Sequence, residues 1–268
     1  MTPAKDPPRA SALPARDPTA APTLGDAAKV AGWGVVFWGA AQFAATVFAR
    51  NATAVVAVQA ALSEWGAGRM AIAWSDPLAD EPSWQMVGRR AGIGAAAGAV
   101  LALVLTGLAV ILHAAVAAER VFAPGLLGIG LVVSLLGAVR DELLLRGVVL
   151  RATRGLLPWW AALVSCGACA AAARYGLEGA VGLALVFDAL KGMALGAIWL
   201  GDRGAWMAVG ASAAWSWTLG SVVRGGLLDV RFVTEPDGWT VGLVVMAGAA
   251  VACAAWAWRR VGREARPL

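Results

Sequence analysis

The sequence predicts an all-α fold, a polytopic membrane helix bundle of seven to eight transmembrane helices, and three observations carry that expectation. The chain of 268 residues is 60% hydrophobic with a mean hydropathy of +0.70, several times more apolar sequence than one soluble core needs. Its apolar residues fall in runs of about 20, the length that crosses a hydrocarbon layer as a helix. Its formal charge of +5 comes from arginine far more than lysine, and much of it flanks those runs. Charge so placed reads as a topology signal and excludes a nucleic-acid surface, so no nucleic-acid partner is expected. The Ala-, Gly- and Arg-rich composition suggests a high-GC bacterial genome and hence a bacterial inner membrane.

Residues 1–28 hold half of the twelve prolines with scattered charge and no apolar periodicity, which predicts a disordered tail. They lack the pattern of a cleaved secretory signal, so the first span is expected to be retained as an anchor. The transmembrane domain is expected over 29–262, opening with a span at 30–49. The apolar run 52–62 is too short to cross alone and reads either as a half-helix folding back or as part of a longer tilted helix. Residues 63–90, with Trp65, Trp74 and Trp84 among Asp, Glu, Pro and Arg, read as an interfacial segment. A Gly- and Ala-rich span at 91–117 holds the pair Gly94 and Gly98, spaced for close helix packing, and His113, the only histidine.

The next span, 125–150, is the unusual one, because Arg140, Asp141, Glu142 and Arg146 interrupt it. Charges at mid-membrane cost roughly 2.5 to 3.5 kcal/mol each on insertion scales and persist where they pair or line a cavity. Glu142 and Arg146, four apart, share a helix face, and Asp141 points about a third of a turn away toward a different helix. Spans at 157–173, 180–200, 205–223 and 239–258 come after it, and residues 263–268 form a basic tail. Glu178 lies four beyond Arg174 and is spaced to pair with it. Asp188 and Lys191, three apart, are expected to pair and fix helix packing. Cys166 and Cys169 have CxxC spacing, but among small residues and without histidine they read as a packing seam and not as a redox or zinc site.

Lys and Arg counts on alternate sides give 13 against 8 for seven spans and 16 against 5 if 52–62 adds a crossing. Both arrangements put the C-terminus in the cytoplasm, and the second is the more biased.

Asp141-Glu142-x-x-x-Arg146-Gly147, followed by an apolar helix and then a Gly-rich one, resembles the first motif of the CAAX prenyl protease and bacteriocin-processing (CPBP) family. These are glutamate-type intramembrane proteases of about eight helices, and the resemblance covers about 120–225. The family's Glu-Glu-x-x-x-Arg appears here with Asp141 for the first Glu. Its Phe-x-x-x-His falls on Ala170-x-x-x-Arg174, and its His-x-x-x-Asn on Ser212-x-x-x-Ser216. The resemblance implies that Glu142 and a histidine would activate water while a second histidine and an asparagine steady an oxyanion. Arg174 cannot exchange a proton near neutral pH, and no histidine follows position 113.

These substitutions imply a degenerate member that binds a membrane-anchored or lipidated protein segment. In such a member Arg174 would stand against Glu142 or Asp141 in a buried network with Arg146, Asp188 and Lys191. Arg174→His would then destabilise the protein without creating activity. An active protease using Glu142 and Asp141, helped by His113 or the serines, is the alternative, and a small transporter the second. The chain shows no internal repeat of the kind many transporters have. No cofactor or metal is expected, because carboxylates without neighbouring His or Cys do not suit zinc. The expected partners are membrane lipid and a membrane-anchored or prenylated peptide.

Overall fold

The computed structural model describes residues 23–75, 83–118, 123–179, 181–224, 226–232 and 237–264. Residues 1–22, Asp76 to Pro82 and 265–268 lie outside the described residues. Most of the expected N-terminal tail and much of the basic C-terminal tail fall there.

Helix α1 (Leu24–Val47) begins six residues before the expected span. A capping box sets its start: the Thr23 hydroxyl oxygen accepts from the Asp26 amide at 3.2 Å, and the Asp26 carboxylate accepts from the Thr23 amide at 3.0 Å. Two first-turn amides are thereby satisfied, so residues 24–28 join the helix instead of the tail. Helix α2 (Ala52–Arg69) corrects a second expectation, since the run at 52–62 continues through Ser63 and Trp65. At 1.5 Å per residue it is about 27 Å long. It folds back along α1, with Phe37 against Gly66 and the Gln59 amide donating to the Ala41 carbonyl at 2.9 Å.

Helix α3 (Trp84–Ile111) absorbs the last seven residues of the expected interfacial segment and stops before His113. Strand β1 (Ala115–Ala117) then pairs antiparallel with β2 (Val230–Phe232). This two-stranded cap at one end of the bundle has no signature as an apolar pattern. Helix α4 (Pro124–Asp141) passes into a π-helical stretch, Glu142–Gly147, and on into α5 (Val148–Thr153). Backbone angles stay helical across both joins, so the three form one rod. The helices α6 (Trp159–Glu178), α7 (Leu183–Asp202), α8 (Trp206–Trp217, extended by a π-helical stretch Thr218–Val222) and α9 (Asp237–Glu264) complete the bundle.

Among the described residues the helices therefore make eight rods. Their contacts give their directions. Glu142 meets the level of Ser212, Gly130 meets Ser221 and Leu127 meets Gly226, so α4 runs against α8. Gly94 meets Met207 and Gly98 meets Ala211, so α3 runs with α8. Leu163 lies against Gly196 and Gly167 against Ala189, an antiparallel α6–α7 pair, and Gly34 beside Val148 docks α1 on α5. Successive rods alternate in direction, so α1 starts and α9 ends at the same end of the bundle. Four helices, Leu24–Val47, Trp84–Ile111, Leu183–Asp202 and Trp239–Val261, are long and apolar enough to cross a membrane.

Small residues decide how closely these rods approach. A Cβ at Gly94, Gly98 or Gly210 would meet the backbone oxygens of Met207, Ala211 and Ala91 in turn. The predicted pair Gly94 and Gly98 is thus where α3 and α8 touch backbone to backbone. The seam at Cys166 behaves similarly, since a Cβ at Gly192 would stand 2.7 Å from the Cys166 carbonyl oxygen.

Candidate functional site

The π-helical stretch contains the motif itself. A π turn inserts one residue into the α-helical ladder and rotates the residues beyond it, and such turns occur mostly at functional sites. Here all six residues of Glu142–Gly147 are buried, because at this level the rod is surrounded by α1, α2, α6 and α7. Glu142 is fully buried and Arg146 is 3% exposed. The Arg146 Nη1 lies 3.6 Å from the Glu142 Oε1 and donates to the Asp141 carbonyl at 3.2 Å. The expected Glu142–Arg146 pair is present.

The pair is nevertheless loosely satisfied. Among the described residues neither oxygen of Glu142 meets a donor at full hydrogen-bond geometry, although the Ser212 hydroxyl lies within interaction reach, and the Arg146 Nε donates none. A buried carboxylate with open lone pairs is uncommon in a folded protein and calls for a ligand or a water. The Ser212 hydroxyl, 4% exposed on α8, lies beside that carboxylate. From α7, Lys191 acts electrostatically on Glu142 and Asp141, and from α6 Cys166 and Cys169 lie within electrostatic reach of Arg146.

Asp141 faces away, as its angular position predicts. Arg140 Nε meets its Oδ1 at 2.7 Å and Arg140 Nη1 donates to the Gln59 Oε1 at 2.7 Å. The guanidinium of Arg140 also stands 5.9 Å from the Trp38 ring centroid. Asp141 thus belongs to a polar seam between α1, α2 and α4. Neither Arg140 nor Gln59 is among the site residues that the sequence marks, although Arg140 lies in the charged stretch of that span.

Three expectations need correction. Arg174 does not stand against Glu142: its Nε is 3.5 Å from the Asp188 Oδ2, and its side chain is 43% exposed. Cys166 is the α6 residue level with the pair, and Arg174 lies eight residues on, about 12 Å along the helix. The single network of Glu142, Arg146, Arg174, Asp188 and Lys191 is therefore two separate pairs, Glu142–Arg146 and Arg174–Asp188, with Lys191 in neither. The pairing of Arg174 with Glu178 involves a side chain outside the described set. Lys191 does not pair with Asp188, since it makes no ion pair or hydrogen bond among the described residues.

His113, finally, is exposed in a left-handed turn beyond α3, with φ 58°. Gly98 shares a cavity with Ser212, and the end of α3 is about 20 Å farther along. Ser216, one turn past Ser212, is half-buried and nothing ties it to the carboxylate.

That cavity, about 90 Å³, lies between α3, α7, α8 and α9 and is lined by Gly98, Leu101, Lys191, Ser212, Trp215 and Met246 among others. Gly98 is at the midpoint of the 28-residue α3. The carboxylate beside Ser212 is accordingly level with the middle of a membrane-length helix and remote from its ends. Among the described residues no group of three or more His, Cys, Asp or Glu is arranged to hold a metal ion.

The exposure of Arg174 sets an expected result. A partly exposed ion pair contributes about 1 kcal/mol or less, so Arg174→His should change the unfolding midpoint little and confer no proteolysis. A large loss of stability, or the appearance of cleavage, would show that position 174 does reach the carboxylate.

Residues 123–218 match the family model described as Rce1-like, Type II CAAX prenyl endopeptidase. The matched segment spans α4 to the end of α8 and includes the whole π-helical motif. No curated protein and no solved structure matches the chain.

Proposed function

We infer, from a CAAX-protease-like segment set in an integral membrane protein, that this chain receives a membrane-anchored or lipidated protein segment beside Glu142 and does not cleave it. The carrying observation is the composition of the carboxylate's surroundings. Glu142 is faced by a permanent cation and a serine, and the single histidine lies about 20 Å along α3 from its level. General-base activation of water needs a group that exchanges protons near neutral pH, and a guanidinium cannot. The open lone pairs of Glu142 remain available to accept hydrogen bonds from a bound segment.

All eight rods cross the bilayer in this reading, with both ends of the chain on the arginine-rich cytoplasmic face of a bacterial inner membrane. The alternating directions of the rods support it, as does the 16 to 5 distribution of basic residues. An active glutamate-dependent protease is the second reading, favoured by the same open lone pairs, which are able to hold a water.

Proteoliposomes containing candidate membrane-anchored or prenylated peptides distinguish the two. The native protein is expected to retain one of these peptides without cutting it, and Glu142→Gln, which keeps the shape of the side chain, is expected to weaken retention. Cleavage by the native protein that disappears in Glu142→Gln would establish the protease instead.

A further inference from the structure

We propose that the cavity between α3, α7, α8 and α9 is a binding site for the end of one phospholipid acyl chain, entered from the bilayer between α3 and α9. Its surface chemistry, depth, mouth and size agree on that ligand.

The surface of the cavity is apolar throughout, and Lys191 and Ser212 border it without opening a polar atom into it. Apolar cavities stay dry and take apolar ligands, so a charged or hydrogen-bonding group has nothing to meet here. The depth is that of the bilayer centre. Gly98 and Ala194 lie at or beside the midpoints of α3 and α7, and Ala249 beside the midpoint of the span Trp239–Val261. In a hydrocarbon core about 30 Å thick the lipid chains end at this level while their headgroups stay at the interface. No polar head has to follow the chain inward.

The helices leave an opening on the lipid side. Helix α3 packs closely on α8 and α7 on α9, whereas α3 and α9 touch much less. Among the lining residues Ala97 is exposed, and Leu101, Ala249 and Cys253 are half-buried. Trp215 and Met246 are buried and form the floor. The mouth therefore lies between α3 and α9.

The volume sets the length of chain that fits. About 90 Å³ is available, and at about 10–15 Å³ for each water-sized group it accepts roughly six to nine of them. The last several carbons of one chain fill it. Within lipid, apolar groups gain nothing by leaving water, so the stabilisation comes from dispersion contacts that the walls of a void otherwise lack. This site lies outside the Glu142–Arg146 pair, and the inference does not rest on receipt of a protein segment there.

Photolabelling of the full chain in nanodiscs tests it. The probe is a phosphatidylcholine with a diazirine at the end of one acyl chain, compared with one carrying the diazirine beside the glycerol ester. Helix α9 supplies a control near the same depth, since Val244 and Val251 are 69% and 70% exposed while Met246 is 2% exposed. The chain-end probe is expected to label Trp215 and Met246, and the ester-side probe is expected to miss both. Ala97→Leu and Ala249→Leu, which fill the mouth from α3 and from α9, are expected to abolish labelling of the floor and to leave that of Val244 and Val251 unchanged. Ala97 is exposed, so its replacement disturbs no buried contact.

Chain-end labelling confined to Val244 and Val251, or labelling of the floor that persists in both filled variants, overturns the proposal. Loss of the floor label on adding a farnesylated peptide also overturns it, because the cavity then belongs to the lipid anchor of a partner. If the floor is labelled while the proteoliposomes retain no peptide, the proposed function fails and the lipid site stands. Peptide retention without labelling of the floor has the opposite meaning.

Discussion

Arg146→Ala is expected to destabilise the protein by about 3 to 5 kcal/mol, the loss found when one partner of a buried pair is removed. Glu142 is fully buried, and the guanidinium 3.6 Å away is the cation that compensates its charge. The π-helical stretch adds to the effect, because Arg146 also donates to the Asp141 carbonyl at 3.2 Å within it. Replacing both partners, as Glu142→Leu with Arg146→Met, should recover most of the loss, since well-packed apolar groups of similar volume often equal or exceed a buried pair. Chemical or thermal unfolding in detergent measures both. An Arg146→Ala protein as stable as the native one would mean that the pair makes no net contribution, and the double variant would then gain nothing over it.

The second large effect belongs to the α3–α8 contact. Gly98→Val places a Cβ against the backbone carbonyl of Ala211, which cannot rotate aside as a side chain would. Overpacking costs about 1 to 3 kcal/mol where neighbours can shift, and the upper end is expected here. Its consequence reaches the site, because α8 carries Ser212 one residue beyond Ala211. Peptide retention should fall together with stability. Gly107→Ala is the matched control on the same helix: nothing lies within 4 Å of a Cβ there, and alanine is the better helix former by about 1 kcal/mol. A Gly98→Val protein that unfolds like Gly107→Ala would show that the two helices do not depend on this approach.

Much of the bundle is legible as apolar runs because lipid-crossing helices need long ones, and most predicted spans coincide with rods to within a few residues. The misreadings share a cause. Polar and aromatic residues such as Ser63, Trp65 and Trp84 read as helix ends in the sequence, yet an isolated polar side chain does not stop a helix when it finds a partner. Ser63, fully buried, donates to the Gln59 carbonyl at 2.6 Å. The π-helical turns have no pattern of their own, because they change the ladder of hydrogen bonds without changing the kind of residue that forms it.

The sequence by itself determined a membrane protein built of helices, a carboxylate–arginine pair four residues apart inside one of them, and the lack of a histidine after position 113. These come from composition, from spacing along one chain and from residue identity, all of which are local. Only the tertiary structure decided which charges meet. Arg174 and Lys191 sit on neighbouring helices at positions that family register and spacing assign to a single network. Helix length separates Arg174 from Glu142, and Asp188 meets Arg174 across the α6–α7 contact instead of Lys191 on its own helix. Charge pairing across helices depends on axial level and azimuth, two quantities that packing sets and that no one-dimensional pattern contains.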